Sequence, residues 1–212
     1  MSNSLPNGAI VAIASGYGTA VTITAITNAS PAVATATNTF AAGDFIEITS
    51  GWSNLNGKVV RLSAAAAGNF TMEGIDTTST TRFPAGSGAG TARKVTGYTQ
   101  ISQVLSLTTS GGDQQFTTYQ YLESDGQRQI PTTRAPMSIA MSVADDASLP
   151  GFQALLTANN DRLQRALKVT LPSGAILSYN GYITFNSTPT LTVNEIMACA
   201  GTFSLLAEPV RY

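Results

Sequence analysis

The chain contains no histidine. A Ser-His-Asp triad and a histidine zinc site are therefore both excluded. It has one cysteine, Cys199, so neither an internal disulfide framework nor a thiolate metal cluster can form. Charge is scarce: 11% of the 212 residues, with a formal net charge of −1, against the usual quarter or so of a soluble domain. The first basic residue is Lys58, so the opening stretch lacks the basic region of a secretory signal. No apolar run approaches the ~18 residues of a membrane-spanning helix. A basic nucleic-acid binder is excluded by the same charge count. Low charge favours association, and the surface reads as one built to be covered.

What remains is 43% hydrophobic, enough for one large domain or two small ones. Residues 21–75 read as short strands at close spacing ("VTITAIT", "AVATAT", "DFIEIT", "KVVRLS", "NFTMEGI"), separated by turn signals such as "NASP" and "AAGD". A small barrel is the natural packing for them. Gly-rich "SGYG" and the Thr/Gly/Ser-rich run ending near Lys94 flank it. The expected division is one domain from residues 1–18 and 95–212, interrupted by an inserted barrel, 19–94. Trp52, in "SGWSNLNG", is expected to plug the barrel beside a turn; its functional alternative is a half-exposed ring for a sugar or partner. "GSGAG", 86–90, lacks the ending and context of a phosphate loop and reads as a linker.

From Tyr98 onward the strands lengthen. "MSIAMSVA" sets Met137, Ile139, Met141 and Val143 on one face. "AILSYNGYITFN" opposes Leu177, Tyr179, Ile183 and Phe185 to a wet face of Ser178, Asn180, Tyr182 and Thr184. "GYTQISQVLSLTTSGG" and "VNEIMACAGTFSLLAEPV" read as two more long strands, the second burying Cys199 as a plain core thiol. One helix interrupts them, over "SLPGFQALLTANNDRLQRALK", with Phe152, Leu155, Leu156, Leu163, Ala166 and Leu167 on one stripe. Ser148 is its expected N-cap, with Pro150 in the first turn. Asp145 and Asp146 before it, and Arg162, Arg165 and Lys168 at its end, read first as dipole partners and second as interface charges. Glu123, Asp125, Asp145 and Asp146 do not make a glycosidase pair, because nothing places them in one cleft. No catalytic residue, cofactor site or metal site is assigned, and the chain is not expected to be an enzyme.

Residues 113–136, "DQQFTTYQYLESDGQRQIPTTRAP", stand apart. The segment is extended, with Tyr119 and Tyr121 on one side and Phe116 and Leu122 on the other. Pro131 and Pro136 argue against its joining a regular ladder. Phe116, Tyr119 and Tyr121 are the expected buried contacts of a subunit interface. Glu123, Asp125, Arg128 and Arg134 would form its charged rim, the arginines meeting carboxylates such as Asp145 or Asp146 of another copy.

"LESDGQRQIPTTRAPMSIAMSVADD", "LPGFQALLTANN" and "LPSGAILSYNGYITFNSTPTLTVNEIMACAGTFSLLAEPVRY", with the opening "SLPNGAIVAIASGYG", resemble the tail tube proteins of long-tailed, non-contractile bacteriophages. The resemblance implies a mainly β fold: two packed antiparallel sheets with one flanking α-helix. It implies a structural virion protein forming rings, six subunits each, stacked into a hollow tube that carries DNA, with a long loop reaching a neighbour. The implied partners are further copies of the chain, a tape measure protein, a tail terminator and baseplate or tip proteins. DNA would pass without specific binding, and the protein, made in the host bacterial cytoplasm, would not insert in a membrane. The 19–94 unit is similar to a small barrel found inserted in phage structural proteins and to the first catalytic-cysteine half-domain of ubiquitin-activating enzymes. It holds no cysteine, so no such chemistry carries over, and it is expected on the tube exterior. A receptor- or carbohydrate-binding module, a decoration protein and a tail terminator are the alternatives.

Overall fold

A computed structural model describes residues 7–212; the first six, and with them the start of the opening stretch used above, lie outside the described residues. The chain is mainly β, with one helix among the described residues. The elements are β1 (Ile10–Tyr17), β2 (Val21–Ile23), β3 (Ala25–Ile26), β4 (Ala32–Thr35), β5 (Phe45–Ser50), β6 (Val59–Ala66), β7 (Asn69–Met72), β8 (Gly90–Ile101), β9 (Val104–Ser110), β10 (Gln114–Tyr119), β11 (Arg128–Arg134), β12 (Ser138–Ala144), α1 (Pro150–Asp161), β13 (Arg165–Thr170), β14 (Ile176–Phe185), β15 (Ala198–Leu205) and β16 (Val210–Arg211). All the pairings are antiparallel. Fourteen strands form one hydrogen-bonded sheet, twelve of them along a single path with β2 and β16 beside it; β10 and β11 form a separate ribbon.

The short strands form a ring of pairings that begins and ends on β8. β8 pairs β5, then β6, β7, β4 and β3 follow in order, while β2 returns to β8. β2 and β3 are consecutive, joined through Thr24, whose N–H donates to the Thr35 carbonyl at 2.9 Å. Period-two alternation turns Ile46, Ile48, Val60, Leu62, Phe70 and Met72 into one core. Trp52 completes it. The indole is 2% exposed, donates from Nε1 to the Pro84 carbonyl at 2.8 Å and meets Phe83 edge-on at 5.2 Å. "GSGAG" is therefore no slack linker. A Cβ on Gly88 would stand 3.0 Å from the Trp52 ring, and Gly90 already opens β8.

The longer strands follow the order β8, β1, β13, β14, β15, β12, β9. β14 turns the corner: residues 176–181 pair β13, and 181–185 pair β15. Gly181 sits at the bend, where a Cβ would come within 2.0 Å of the Ser204 carbonyl oxygen. Both halves enclose a core of Ile13, Leu167, Ile139, Met141, Phe203 and Cys199, with Phe152 and Leu155 of α1 inserted. Phe152 meets Phe185 edge-on at 5.0 Å. Each such aromatic buried in full stabilises by about 1.5–3 kcal/mol.

Five expectations are corrected. The helix stops at Asp161, where Arg162 takes a left-handed conformation with φ 54°; Arg165, Ala166, Leu167 and Lys168 belong to β13, and Leu163 is exposed. Its N-cap is Leu149, without a side-chain bond; Ser148 donates instead to Asp146 at 2.6 Å. The strand expected over 97–112 is broken by Gln103 at φ 58°, letting the chain leave β8 and enter β9 at the far edge. Residues 193–197, expected to open the last long strand, are not strand; β15 begins at Ala198. The face expected to be wet is covered at Ser178 and Asn180, both buried.

The 19–94 unit covers that face. Asn180 Nδ2 donates to the Gly57 carbonyl at 2.9 Å. The Arg61 N–H donates to the Tyr212 hydroxyl at 2.7 Å, and Gln164 donates to Glu47. Ala14, Val59, Val95 and Ala166 form a small core between them, lined by Tyr17, Phe45 and Tyr98. Burial pushes the phenols up, to about 12 for Tyr17 and Tyr212. The Tyr98 hydroxyl, the Ser178 hydroxyl and Asn180 Oδ1 are buried without a hydrogen-bond partner among the described residues.

Candidate subunit interface

β10 and β11 leave the body as a hairpin. Its root is fixed by two backbone bonds, Gly112 N–H to the Ala135 carbonyl at 3.1 Å and Ala135 N–H to the Asp113 carbonyl at 2.9 Å. Thr117↔Ile130, Thr118↔Gln129 and Tyr119↔Arg128 face one another along it. Pro131 does not end the ladder. It pairs with Phe116 beside a bulge between Gln114 and Phe116, where a missing N–H is tolerated. Every residue of β11 is exposed, as are the four inner residues of β10, Gln115–Thr118.

An isolated two-stranded ribbon is at best marginal in water. This one carries large apolar groups into solvent: Phe116 is 56% exposed, Ile130 49% and Leu122 fully so. Tyr119 and Tyr121 lie on one side as expected, their rings edge-on at 5.4 Å. The Arg128 guanidinium lies over Tyr121, 5.6 Å from its centroid. Arg134 pairs with Glu208 at the root. Glu123 and Asp125 stand in the tip, between Tyr119 and Arg128 in the chain.

The other candidate charges are elsewhere, and within one chain neither Arg128 nor Arg134 meets Asp145 or Asp146. Asp145 Oδ1 faces the Cys199 thiol at 3.7 Å; burial and this carboxylate push the thiol up, which suits an inert core group. Asp146 accepts from the N–H of Ser148 at 3.0 Å, and the Ser148 bonds hold its carboxyl below the usual range. No acidic residue lies in the first turn of α1 and no basic residue in its last, so the dipole reading fails for Arg165, which lies in β13 and pairs with Asp161. Arg162 caps the C-terminus of α1 and makes no ion pair among the described residues.

Two surfaces escaped the sequence reading. β9 ends the strand path, so one edge of it is open, with Leu105 exposed. Leu191, Val193, Ile196 and Met197 form an exposed apolar loop next to β15. Thr190 bridges Ala198, and a turn between them, with Asn194 at φ 65°, folds the loop back on itself. The Trp52 reading as a sugar contact is overturned by its burial.

An open edge, a solvent-exposed apolar hairpin and an exposed apolar loop belong to a structural β subunit made to be covered. Among the described residues no group of three or more Cys, Asp or Glu side chains is placed to hold a metal. The model of the phage tail tube protein family matches residues 50–212, and the chain belongs to that family. The match begins in β5 and so includes much of the barrel. No curated protein matches the chain. Membership makes this a structural protein of the phage tail that self-assembles into a tube, in a family not known for enzymatic activity. No helix among the described residues is long and apolar enough to cross a membrane.

Proposed function

We propose that the protein builds the tail tube as head-to-tail rings of six subunits, stacked into the conduit through which DNA leaves the capsid of a long-tailed, non-contractile phage. The observation that carries this reading is the β10–β11 hairpin. It is ordered as a ribbon, yet spends its apolar side chains on solvent, and a second copy is the cover the family supplies. A heterologous contact of this kind closes a ring or continues as a filament. The open edge of β9 favours the same geometry.

The 19–94 unit would stand on the tube exterior. The tape measure protein would fill the lumen during assembly, with the terminator and tip proteins at the two ends. DNA would slide rather than bind. No Lys or Arg occurs from Val95 to Gln127 or from Val169 to Val210, stretches that hold most of the long strands. A basic wall would retain DNA by phosphate contacts and counterion release; salt-sensitive DNA retention by assembled tubes would overturn this part. Electron microscopy of the purified protein tests the whole reading. Hollow tubes or six-fold rings are expected, and discrete particles at high concentration would refute it.

A further inference from the structure

Where the C-terminus of α1 meets the barrel, Tyr17, Thr49, Thr91, Arg93, Arg162 and Leu163, with Arg165 and Tyr182, line a cleft of 450 Å³. Its charges do not balance. Arg93 pairs with the buried Glu47 at 2.8 Å and Arg165 with Asp161, which leaves Arg162 over. Its rim is apolar and exposed, at Leu163 and Tyr182. The Arg162 backbone, left-handed at φ 54°, separates Leu163 from the helix and leaves it outside the core.

The hairpin tip has the opposite character. Between Tyr119 and Arg128 it carries Glu123 and Asp125 and no cation, with Leu122 wholly exposed between Tyr121 and Glu123. Since Leu122 is free of its own body, the tip is not docked within the chain. Its β10 strand spans roughly 20 Å, reach enough to leave the subunit surface.

We infer that the hairpin tip of one subunit docks into the Arg162 cleft of a neighbouring copy, Leu122 covering Leu163 and Tyr182 while Glu123 and Asp125 meet Arg162. Charge complementarity selects the occupant: the cleft holds one unmatched cation and exposed apolar groups, and the tip offers two carboxylates beside an exposed leucine. This rests on the tube reading above and names the receiving site.

Charge reversal tests it on the full chain. Arg162→Glu alone, or Glu123→Arg with Asp125→Lys, sets like charges against each other. Each should raise the concentration needed for polymerisation roughly tenfold or more, with the thermal melt of the monomer unmoved. All three together should bring it back near wild type, and Arg82→Glu, on the barrel away from the cleft, should change nothing. A second readout uses the burial of the lone native thiol, Cys199. Leu122→Cys with Leu163→Cys, oxidised with copper phenanthroline, should give a ladder of covalent oligomers on a denaturing gel. Tubes forming at unchanged concentration in the reversed variants, a triple variant that is not rescued, or cysteines that stay unlinked would each refute the docking while leaving the tube function standing. A wild-type protein that never polymerises would overturn both.

Discussion

Replacing Gln115–Thr133 with a short Gly/Ser turn should abolish assembly and spare the subunit. The hairpin's one side-chain ion pair to the body, Arg134 with Glu208, lies outside the replaced segment and is kept. The Phe116, Tyr121, Leu122 and Ile130 side chains bury little inside the monomer, so removing them returns little. Cutting the connection about fourfold recovers about 1.2 kcal/mol of closure entropy. Loss and gain are both small, and the monomer should melt within a few degrees of wild type. At an interface the balance differs. Each well-packed aromatic or leucine contributes about 1–3 kcal/mol, and every junction of a ring loses the same contacts. Tyr119→Ala with Tyr121→Ala should also weaken assembly more than Arg128→Ala, since Arg128 reaches the interface stacked on Tyr121. Size-exclusion chromatography with light scattering and a thermal melt decide it. Tubes that persist without the hairpin, or a subunit that no longer folds, would refute the reasoning.

Trp52→Ala should cost about 3–5 kcal/mol, read by urea unfolding, because it empties the barrel core and orphans the Pro84 carbonyl; a loss below 1 kcal/mol would mean the plug is dispensable. Tyr17, Tyr98 and Tyr212 have phenols pushed above their ordinary value by burial. Their contribution is complete below pH ~10 and is lost as pH rises through about 12, so the fold should give way in that window, seen as phenolate absorbance rising together with loss of circular dichroism. Tyr98→Phe, which removes a buried hydroxyl without a partner, should be neutral or slightly stabilising and should shift alkaline unfolding upward. Joining Gly18 to Val95 with a short linker should leave a less stable subunit that still forms thinner tubes under the electron microscope. The Gly18 N–H already meets the Lys94 carbonyl at 2.8 Å, so the ends are in place; a folded subunit unable to polymerise would put the barrel in the interface.

Period-two alternation placed the barrel strands and the core faces of β12 and β14, because those side chains answer only to the sheet beneath them. It failed where distant parts of the chain decide. Ser178 and Asn180 are polar and were assigned to solvent, but the barrel folds over them and Gly57 supplies a carbonyl. Arg165, Ala166, Leu167 and Lys168 are helix formers, and tertiary pairing with β1 and β14 overrides that preference. Residues 193–197 carry strand-forming side chains, but Asn194 at φ 65° turns the chain back there. The hairpin was legible as an extended, aromatic-bearing segment set apart from the core; the cleft was not, since Arg93, Leu163 and Tyr182 meet only in three dimensions.

β8 carries a mechanical consequence. Its first residues belong to the barrel, paired with β2 and β5, and its last to the long sheet, paired with β1. No hinge separates the two, because one extended strand runs through both. A load applied to the barrel along this strand reaches the ladder with β1 in shear, where several bonds must yield together rather than one after another. In a flexing tail, with the barrel outermost as proposed, drag on it would be delivered straight into the long sheet.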